Sequence, residues 1–369
     1  MTANSEKIAL ITGITGQDGS YLARFLLHKQ GYHRVVGLVR RTSDDEPEQR
    51  LRLPTLRDYL QTGRLVLATG DVLDLHSLVT VLEQYGPDEI YNLAAQSHVG
   101  KSFDLPEMTI ATSINGVLNI LKAVAMTDFD VRIYQASTSE MFGDAAKSVT
   151  PQDECTPFLP VSPYGAGKAA AHRLMVMARS RRDIPLWACS GILFNHESPH
   201  RGLRFVSRKI TLAVAQWLCG TRGVVLRLGH LDAQRDWGYA GDYVRAMWQI
   251  LNQPVKNPYH LRDYLVATGE THSVRDFVTE AFKAAGRLSG KGEPSLKWEG
   301  ELKKEHLVVN GEVCVAVDPA LYRPNELPAL QGNPRLIKQD LGWEPTITFN
   351  QMVRMMVAHD VAALSAGVR

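Results

Sequence analysis

An excess of charge of either sign is missing from this chain of 369 residues: 41 basic and 39 acidic side chains leave a formal charge of +2. That argues against a general nucleic-acid surface and leaves room only for a local basic pocket. Cysteine is scarce. Cys155, Cys189, Cys219 and Cys314 stand far apart, with no CxxC pair and no metal-ligand spacing. They read as buried or incidental thiols in a reducing compartment. Long apolar runs are missing too, since no stretch of about 18 apolar residues suggests a membrane span. Met1 to Lys7 leads directly into a strand pattern with no signal-peptide core, so the expected location is the cytoplasm. Internal repeats and low-complexity tracts are also lacking. What remains is an ordinary globular balance, 44% hydrophobic and 22% charged, with room for one large or two ordinary domains.

Short apolar runs recur along the first half of the chain: Lys7 to Thr12, Val35 to Val39, Leu65 to Ala68, Glu89 to Leu93, Val131 to Gln135 and Trp187 to Phe194. Helical patterns separate them, including Ser20 to His28, Asp74 to Tyr85 and Thr112 to Met126. Alternation of this kind predicts an α/β fold with a doubly wound parallel sheet and right-handed crossovers. Ligands bind such sheets outside the carboxyl ends of the strands. The glycine turn after the first strand, Asp71, Ala94, Thr138 and Asn195 all fall at such ends.

That first turn reads Gly13-Ile14-Thr15-Gly16-Gln17-Asp18-Gly19. Strand, glycine turn and helix form the context a dinucleotide fingerprint needs, here as GxxGxxG. Gly13 allows a tight turn, Gly16 a close backbone approach to a pyrophosphate at the helix N-terminus, and Gly19 close helix packing. The second strand ends in Arg40-Arg41 with no acid at its tip. An acid would hold a ribose hydroxyl and an arginine a 2′-phosphate, so the expected cofactor is NADP. Asp71 reads either as a partner for the adenine amino group or as a cap for the following helix. Ala94, Ala95, Gln96 and Ser97 follow the fourth strand, and the small residues there let backbone approach the cofactor.

Tyr164-Gly165-Ala166-Gly167-Lys168 is the stretch around which the rest gathers. Ser162 and Pro163 supply start signals for a helix, and the spacing then puts Tyr164 and Lys168 on one face. A lysine one turn away is expected to favour phenolate and lower the tyrosine pKa. Such a tyrosine exchanges protons with a hydroxyl or carbonyl. Beyond Phe194 the expectations are a polar loop over Asn195 to Gly202, a helix over Phe205 to Gly220 and a turn at Arg235 to Gly238. A helix through Asp242 to Leu251, a strand at Asp263 to Ala267 and an exposed loop over Gly286 to Pro294 complete the reading.

Taken together these residues resemble the extended short-chain dehydrogenase/reductase superfamily and, within it, the GDP-mannose 4,6-dehydratase family. Tyr134-Gln-Ala-Ser-Thr-Ser-Glu140, Gly191 to Pro199, Arg235-Asp-Trp-Gly238 and Tyr322-Arg-Pro324 carry the narrower likeness. The resemblance implies a Rossmann-type domain over 5–195, joined by 231–268. A smaller, discontinuous α/β domain for the nucleotide-sugar is implied over 196–230 and 269–369. It implies Thr138, Glu140 and Tyr164 as catalytic residues with Lys168 in support. NADP contacts are implied at Gly13 to Gly19, Arg40, Asp71, Val72, Leu93 to Ser97, Tyr164, Lys168, His196 and Arg201. GDP-sugar contacts are implied at Ser97, Thr138, Glu140, Asn195, Lys209, Arg235, Arg323 and Glu326. A homodimer or homotetramer is implied as well. Plainer readings stand beside these: Glu140 as a turn cap, Arg235 and Arg323 as surface ion pairs, Lys209 as a solvated helix residue, Asn195 and His196 as loop closers. Another GDP-sugar such as a heptose, a ketoreductase or epimerase of the same fold, and a non-catalytic NADP-binding regulator are the alternative functions. The chain departs from the family at Gly165, Gly167 and His200, and over Met177 to Leu186 and Pro254 to Arg262, which look expanded.

Overall fold

The computed structural model describes residues 6–41, 47–127, 129–182, 185–221, 223–322, 325–327 and 329–367. Seven parallel strands form the central sheet: β1 (Ile8–Thr12), β2 (Arg34–Val39), β3 (Leu65–Thr69), β4 (Glu89–Asn92), β5 (Arg132–Thr138), β6 (Ala188–Leu193) and, later in the chain, β11 (Tyr264–Val266). Their order across the sheet is β11-β6-β5-β4-β1-β2-β3. β1 pairs with both β2 and β4, so the crossovers reverse direction there and open a crevice at the strand ends. The strands are apolar because helices cover both faces: β6, read Ala-Cys-Ser-Gly-Ile-Leu, is buried at every position.

One face carries α1 (Gln17–Arg24) and α8 (Ala240–Leu251), packed through Leu22, Leu26, Tyr243, Met247 and Ile250. The other carries α3 (Leu75–Tyr85), α5 (Pro106–Thr127) and α6 (Pro163–Arg179), packed through Leu78, Val81, Val117, Ile120, Ala171 and Met175. α5 begins six residues before the expected Thr112. By length and composition alone it is apolar enough to cross a membrane. Here it lies against α3 and α6, with Gly116, Val117, Ile120 and Val124 buried.

A second core gathers α7 (Val206–Leu218), α9 (Val274–Ser289) and α11 (Phe349–Ser365) against a four-stranded sheet that includes β8 (Leu226–Leu228). Leu231 and Trp237 pack in this second core, and α8 then packs against the central sheet. Capping boxes start α9 at Ser273 and Asp276 and α11 at Thr348 and Gln351.

Four local expectations change. The polar stretch after Phe194 contains a strand, β7 (Asn195–Glu197), and the expected turn at Arg235 divides into β9 (Gln234–Arg235) and β10 (Trp237–Tyr239). β7 and β10 pair in parallel. Polar residues fit there because His196 pairs with Asp18 and Glu197 bonds Ser207 and Arg201. Gly286 lies inside α9, carried through by the buried face Phe277, Val278, Ala281, Phe282 and Ala285. A side chain at Gly286 would sit 2.4 Å from the Gly292 carbonyl, so only glycine lets the loop fold back on the helix. β5 runs on to Thr138, paired with β6 as far as Leu193. The two expanded segments meet each other, Tyr259 donating to the Arg181 carbonyl at 2.7 Å. They lie near the amino ends of β6 and β11, opposite the crevice.

Candidate active site

The glycine turn is built as its spacing predicts. Gly13 has φ +72°, and a Cβ there would meet the Leu93 carbonyl carbon at 3.0 Å. A Cβ at Gly19 would come 2.4 Å from the Gly13 carbonyl. Gly16 is the exposed N-cap of α1 and offers no side-chain cap. The turn thus presents bare backbone at a helix N-terminus, a cradle that fits a dinucleotide pyrophosphate. The Ile14 side chain is buried under Gly37, leaving its backbone to the turn, while Thr15 is half-buried at the rim.

Behind the turn runs a row of buried side-chain hydrogen bonds. Thr12 Oγ1 accepts from the Leu93 and Ala94 amides, both at 3.1 Å, and donates to Asn92 Oδ1 at 2.7 Å. Asn92 donates to Gln135 at 2.7 Å, and Gln135 to the Ala136 carbonyl at 2.9 Å. Lys168 Nζ donates to that same carbonyl at 2.8 Å. The row therefore links the cofactor turn to the lysine of the YxxxK stretch. Sequence reasoning missed Thr12, Asn92 and Gln135. Thr12 and Asn92 are the last residues of β1 and β4, and Gln135 lies within β5 beside them; a polar residue at the end of a strand was the signal for the first two.

α6 starts as expected. Ser162 Oγ accepts from the Gly165 amide at 3.0 Å, with Pro163 in the first turn. The two unusual glycines have a steric cause. A Cβ at Gly165 would lie 2.6 Å from the Glu140 carbonyl, and one at Gly167 would lie 3.1 Å from Ser113 Cβ on α5. Bare backbone at 165 brings the Tyr164 turn directly onto the Thr138–Glu140 segment. Thr138 Oγ1 accepts from the Glu140 amide at 3.3 Å and also hydrogen-bonds the Tyr164 side chain.

The expected lowering of the tyrosine pKa is not found. Burial pushes Tyr164 up to about 12, against the opposing hydrogen bond from Thr138. Burial likewise pulls Lys168 down to about 8, with the Asp18 charge opposing. Desolvation dominates at both residues, and Lys168 Nζ donates to the Ala136 carbonyl.

Asp18 and His196 form a buried pair. Asp18 Oδ2 lies 2.9 Å from His196 Nε2, while His196 Nδ1 is 2.7 Å from the Phe194 carbonyl. With an acceptor at each nitrogen, the ring holds both protons. Burial alone would raise the Asp18 carboxyl, but His196 overrides it and holds it down to about 2. His196 is raised in turn, the Asp18 charge outweighing burial. Gln17 ties the same segments, donating to the His196 carbonyl at 3.1 Å and accepting from Ser198 at 2.7 Å.

The other candidates fall into three groups. At the strand ends, Asp71 accepts from the Leu73 amide at 2.9 Å, and it is Asp74 that caps α3. Val72 is buried against Gly116. Gln96 is bonded back to His98, Ala95 is half-buried and Ser97 is exposed. Arg40 is exposed at the end of β2. In the second core, Arg235 is buried and ion-paired with Glu326, and it donates to the Leu327 carbonyl at 2.9 Å. It is thus no surface pair. Arg201 pairs with Glu197 at 3.0 Å and stacks on Phe205. Asn195 is half-buried on β7 and Lys209 exposed on α7. Arg323 lies outside the described residues. A cavity of about 800 Å3 between α1, α2 (Leu56–Gln61) and α8 is lined by none of the candidates.

Comparison with known proteins decides the family. The family model described as GDP-mannose 4,6 dehydratase matches residues 10–356. The chain belongs to the GDP-mannose 4,6-dehydratase family. The Homo sapiens GDP-mannose 4,6 dehydratase is 45% identical over 358 residues, covering 96% of this chain and 91% of that protein. The fold is shared more widely. UDP-glucose 4-epimerase of Thermus thermophilus, in complex with NAD, superposes with a TM-score of 0.72 at 24% identity, covering 96% of this chain and 99% of that one. RMD from Pseudomonas aeruginosa, complexed with NADPH, gives 0.71 at 20%, covering 96% and 99%.

The buried pair gives this family member a measurable signature. The contribution of Asp18, whose folded pKa is depressed, is complete above 3.8 and is lost as pH falls through about 2. That of His196, whose folded pKa is raised, is complete below 6.5 and is lost as pH rises through the raised value. In the ligand-free protein, His196 followed by NMR is expected to titrate above 6.5. Asp18→Asn should lower it, because burial then loses its main opponent, and should destabilise most between about pH 4 and 6.5 and less on either side. Titration of His196 below 6.5 in the unaltered chain would contradict the pairing.

Proposed function

We propose that this chain converts GDP-mannose to GDP-4-keto-6-deoxymannose with loss of one water, with NADP as a cofactor returned unchanged. The observation carrying the proposal is the meeting of Tyr164 with Thr138 and Glu140, made possible by bare backbone at Gly165. When bound, the nicotinamide supplies the hydride acceptor for carbon 4 and then the donor for carbon 6. Tyr164, once its phenol has lost its proton, accepts the proton of the carbon 4 hydroxyl as phenolate. Thr138, already bonded to that phenol, steadies the sugar oxygen as its charge changes. The ketone acidifies the proton on carbon 5. Glu140 removes it and delivers a proton to the departing carbon 6 hydroxyl, and carbon 5 takes back a proton through Glu140 when carbon 6 is reduced. Lys168 holds the helix against β5 through the Ala136 carbonyl and supplies positive charge beneath Tyr164.

The glycine cradle and Arg40 suit NADP, with 5–195 and the returning segment 231–268 holding the cofactor. We assign the nucleotide-sugar to 196–230 and 269–369, with Asn195, Lys209, Arg235, Arg323 and Glu326 around its diphosphate and ribose. Glu326 must yield Arg235 to phosphate there, exchanging one anion for another. A homo-oligomer and a cytoplasmic setting that keeps the four free thiols reduced complete the reading.

Incubation with GDP-mannose and catalytic NADP should give a product one water lighter, by mass spectrometry, with no net cofactor reduction. In a single turnover with stoichiometric NADP, Glu140→Gln should accumulate reduced cofactor and Tyr164→Phe should form none. Each step should slow on the order of 100- to 10,000-fold. Normal dehydration by Glu140→Gln would remove Glu140 from the role. A second expectation concerns the cofactor: fluorescence titration should show Arg40→Asp weakening NADP more than NAD. Equal affinity of the unaltered chain for the two would count against NADP.

A further inference from the structure

One turn beyond Lys168, α6 carries a third buried polar residue on the same face. His172 is 7% exposed, and its Nδ1 lies 3.0 Å from Ser137 Oγ, itself 3% exposed. Its Nε2 faces Asp263 Oδ2 at 3.6 Å. Asp263 in turn is gripped by both guanidinium nitrogens of Arg179, each at 2.7 Å, and by the Ser190 amide at 2.6 Å. The edge of the ring packs against Phe158, with centroids 5.2 Å apart.

The protonation of the ring follows from this setting. Burial lowers the His172 pKa, with Asp263 opposing and Arg179 and Arg173 adding to the lowering, so the imidazole is neutral. The single proton belongs on Nε2, beside the Asp263 carboxylate. Nδ1 then accepts from the Ser137 hydroxyl.

Placed in sequence, the contacts form a register. Three consecutive residues of β5, namely Ala136, Ser137 and Thr138, hold three residues of α6: Lys168, His172 and Tyr164. The α6 residues are four apart, so they lie along one stripe of the helix. The His172 bond is a third point, and Asp263 and Arg179 fix its far side to β6 and the start of β11.

We propose that His172, oriented by Asp263 and bonded to Ser137, is a positioning residue for the dehydratase reaction, setting the roll of α6 that brings Tyr164 to Thr138. The proposal rests on the dehydratase reading above. An apolar side chain of this size would pack as well among Phe158 and its neighbours, so what the imidazole adds is direction. A displacement of about 1 Å at a reacting group costs on the order of 100-fold in rate while leaving remote binding contacts intact.

The test compares His172→Leu, Ser137→Ala, their double variant and His172→Asn, whose amide oxygen can still accept from Ser137. Turnover of GDP-mannose and thermal unfolding are measured for each. His172→Leu and Ser137→Ala are expected to lower kcat about 10- to 100-fold with KM within about twofold of the unaltered chain. The double variant should lose no more than either single one, because both remove the same bond. His172→Asn should recover most of the lost kcat. Folded variants with unchanged kcat, losses confined to KM, or losses that follow the unfolded fraction would overturn the positioning role. An unaltered chain inert towards GDP-mannose would overturn the dehydratase reading, and this role with it; an active chain with unaffected variants would overturn this role alone.

Discussion

The carbonyl of Ala136 accepts two hydrogen bonds, one from Gln135 and one from Lys168. Much of the site depends on that oxygen. It ends the polar row that begins at Thr12 under the glycine turn, and it is where α6 is fastened to β5. A buried carbonyl with two donors is satisfied, and a buried lysine would be costly without it. Burial holds Lys168 down to about 8 and Tyr164 up to about 12, so Tyr164 rests as a neutral phenol. In the proposed reaction, the phenolate of Tyr164 would draw on charge that arrives with the ligands.

A second fastening joins the two cores. The Asp18–His196 pair bonds the glycine turn of the central sheet to β7, and β7 leads through Glu197 and Arg201 towards α7. The ring of His196 also stacks on Tyr243 of α8, with centroids 4.4 Å apart. The glycine turn and the segment leading to the proposed sugar pocket are thus held by one largely buried ion pair. Such a pair is a weak source of stability but a strong constraint on geometry.

Much of this was legible in the sequence. Apolar runs gave the sheet strands through β6, the glycine spacing gave the turn, and strand ends gave the place of Thr138 and Ala94. Ser162 and Pro163 gave the start of α6. Illegible were contacts between residues far apart in the chain. Nothing near Lys168 announces Ala136, and nothing near Arg235 announces Glu326, 91 positions away. β7 escaped because His196 and Glu197 are satisfied by Asp18, Ser207 and Arg201 on other elements, and composition reads such polar residues as a loop. Gly286 escaped because helix propensity counts glycine as a breaker, whereas the buried face of α9 outweighs that cost. Gly165 and Gly167 looked like departures from a pattern and proved to be the condition for close packing on Glu140 and α5.

The account requires that the hydrogen leaving carbon 4 return to carbon 6 of the same sugar, while the proton on carbon 5 exchanges with solvent through Glu140. Turnover of GDP-mannose deuterated at carbon 4, in ordinary water, measures this directly. The expected product, by NMR and mass spectrometry, keeps its deuterium and carries it on carbon 6. Deuterium lost to water, or left on the cofactor with no dehydrated sugar formed, would contradict the account.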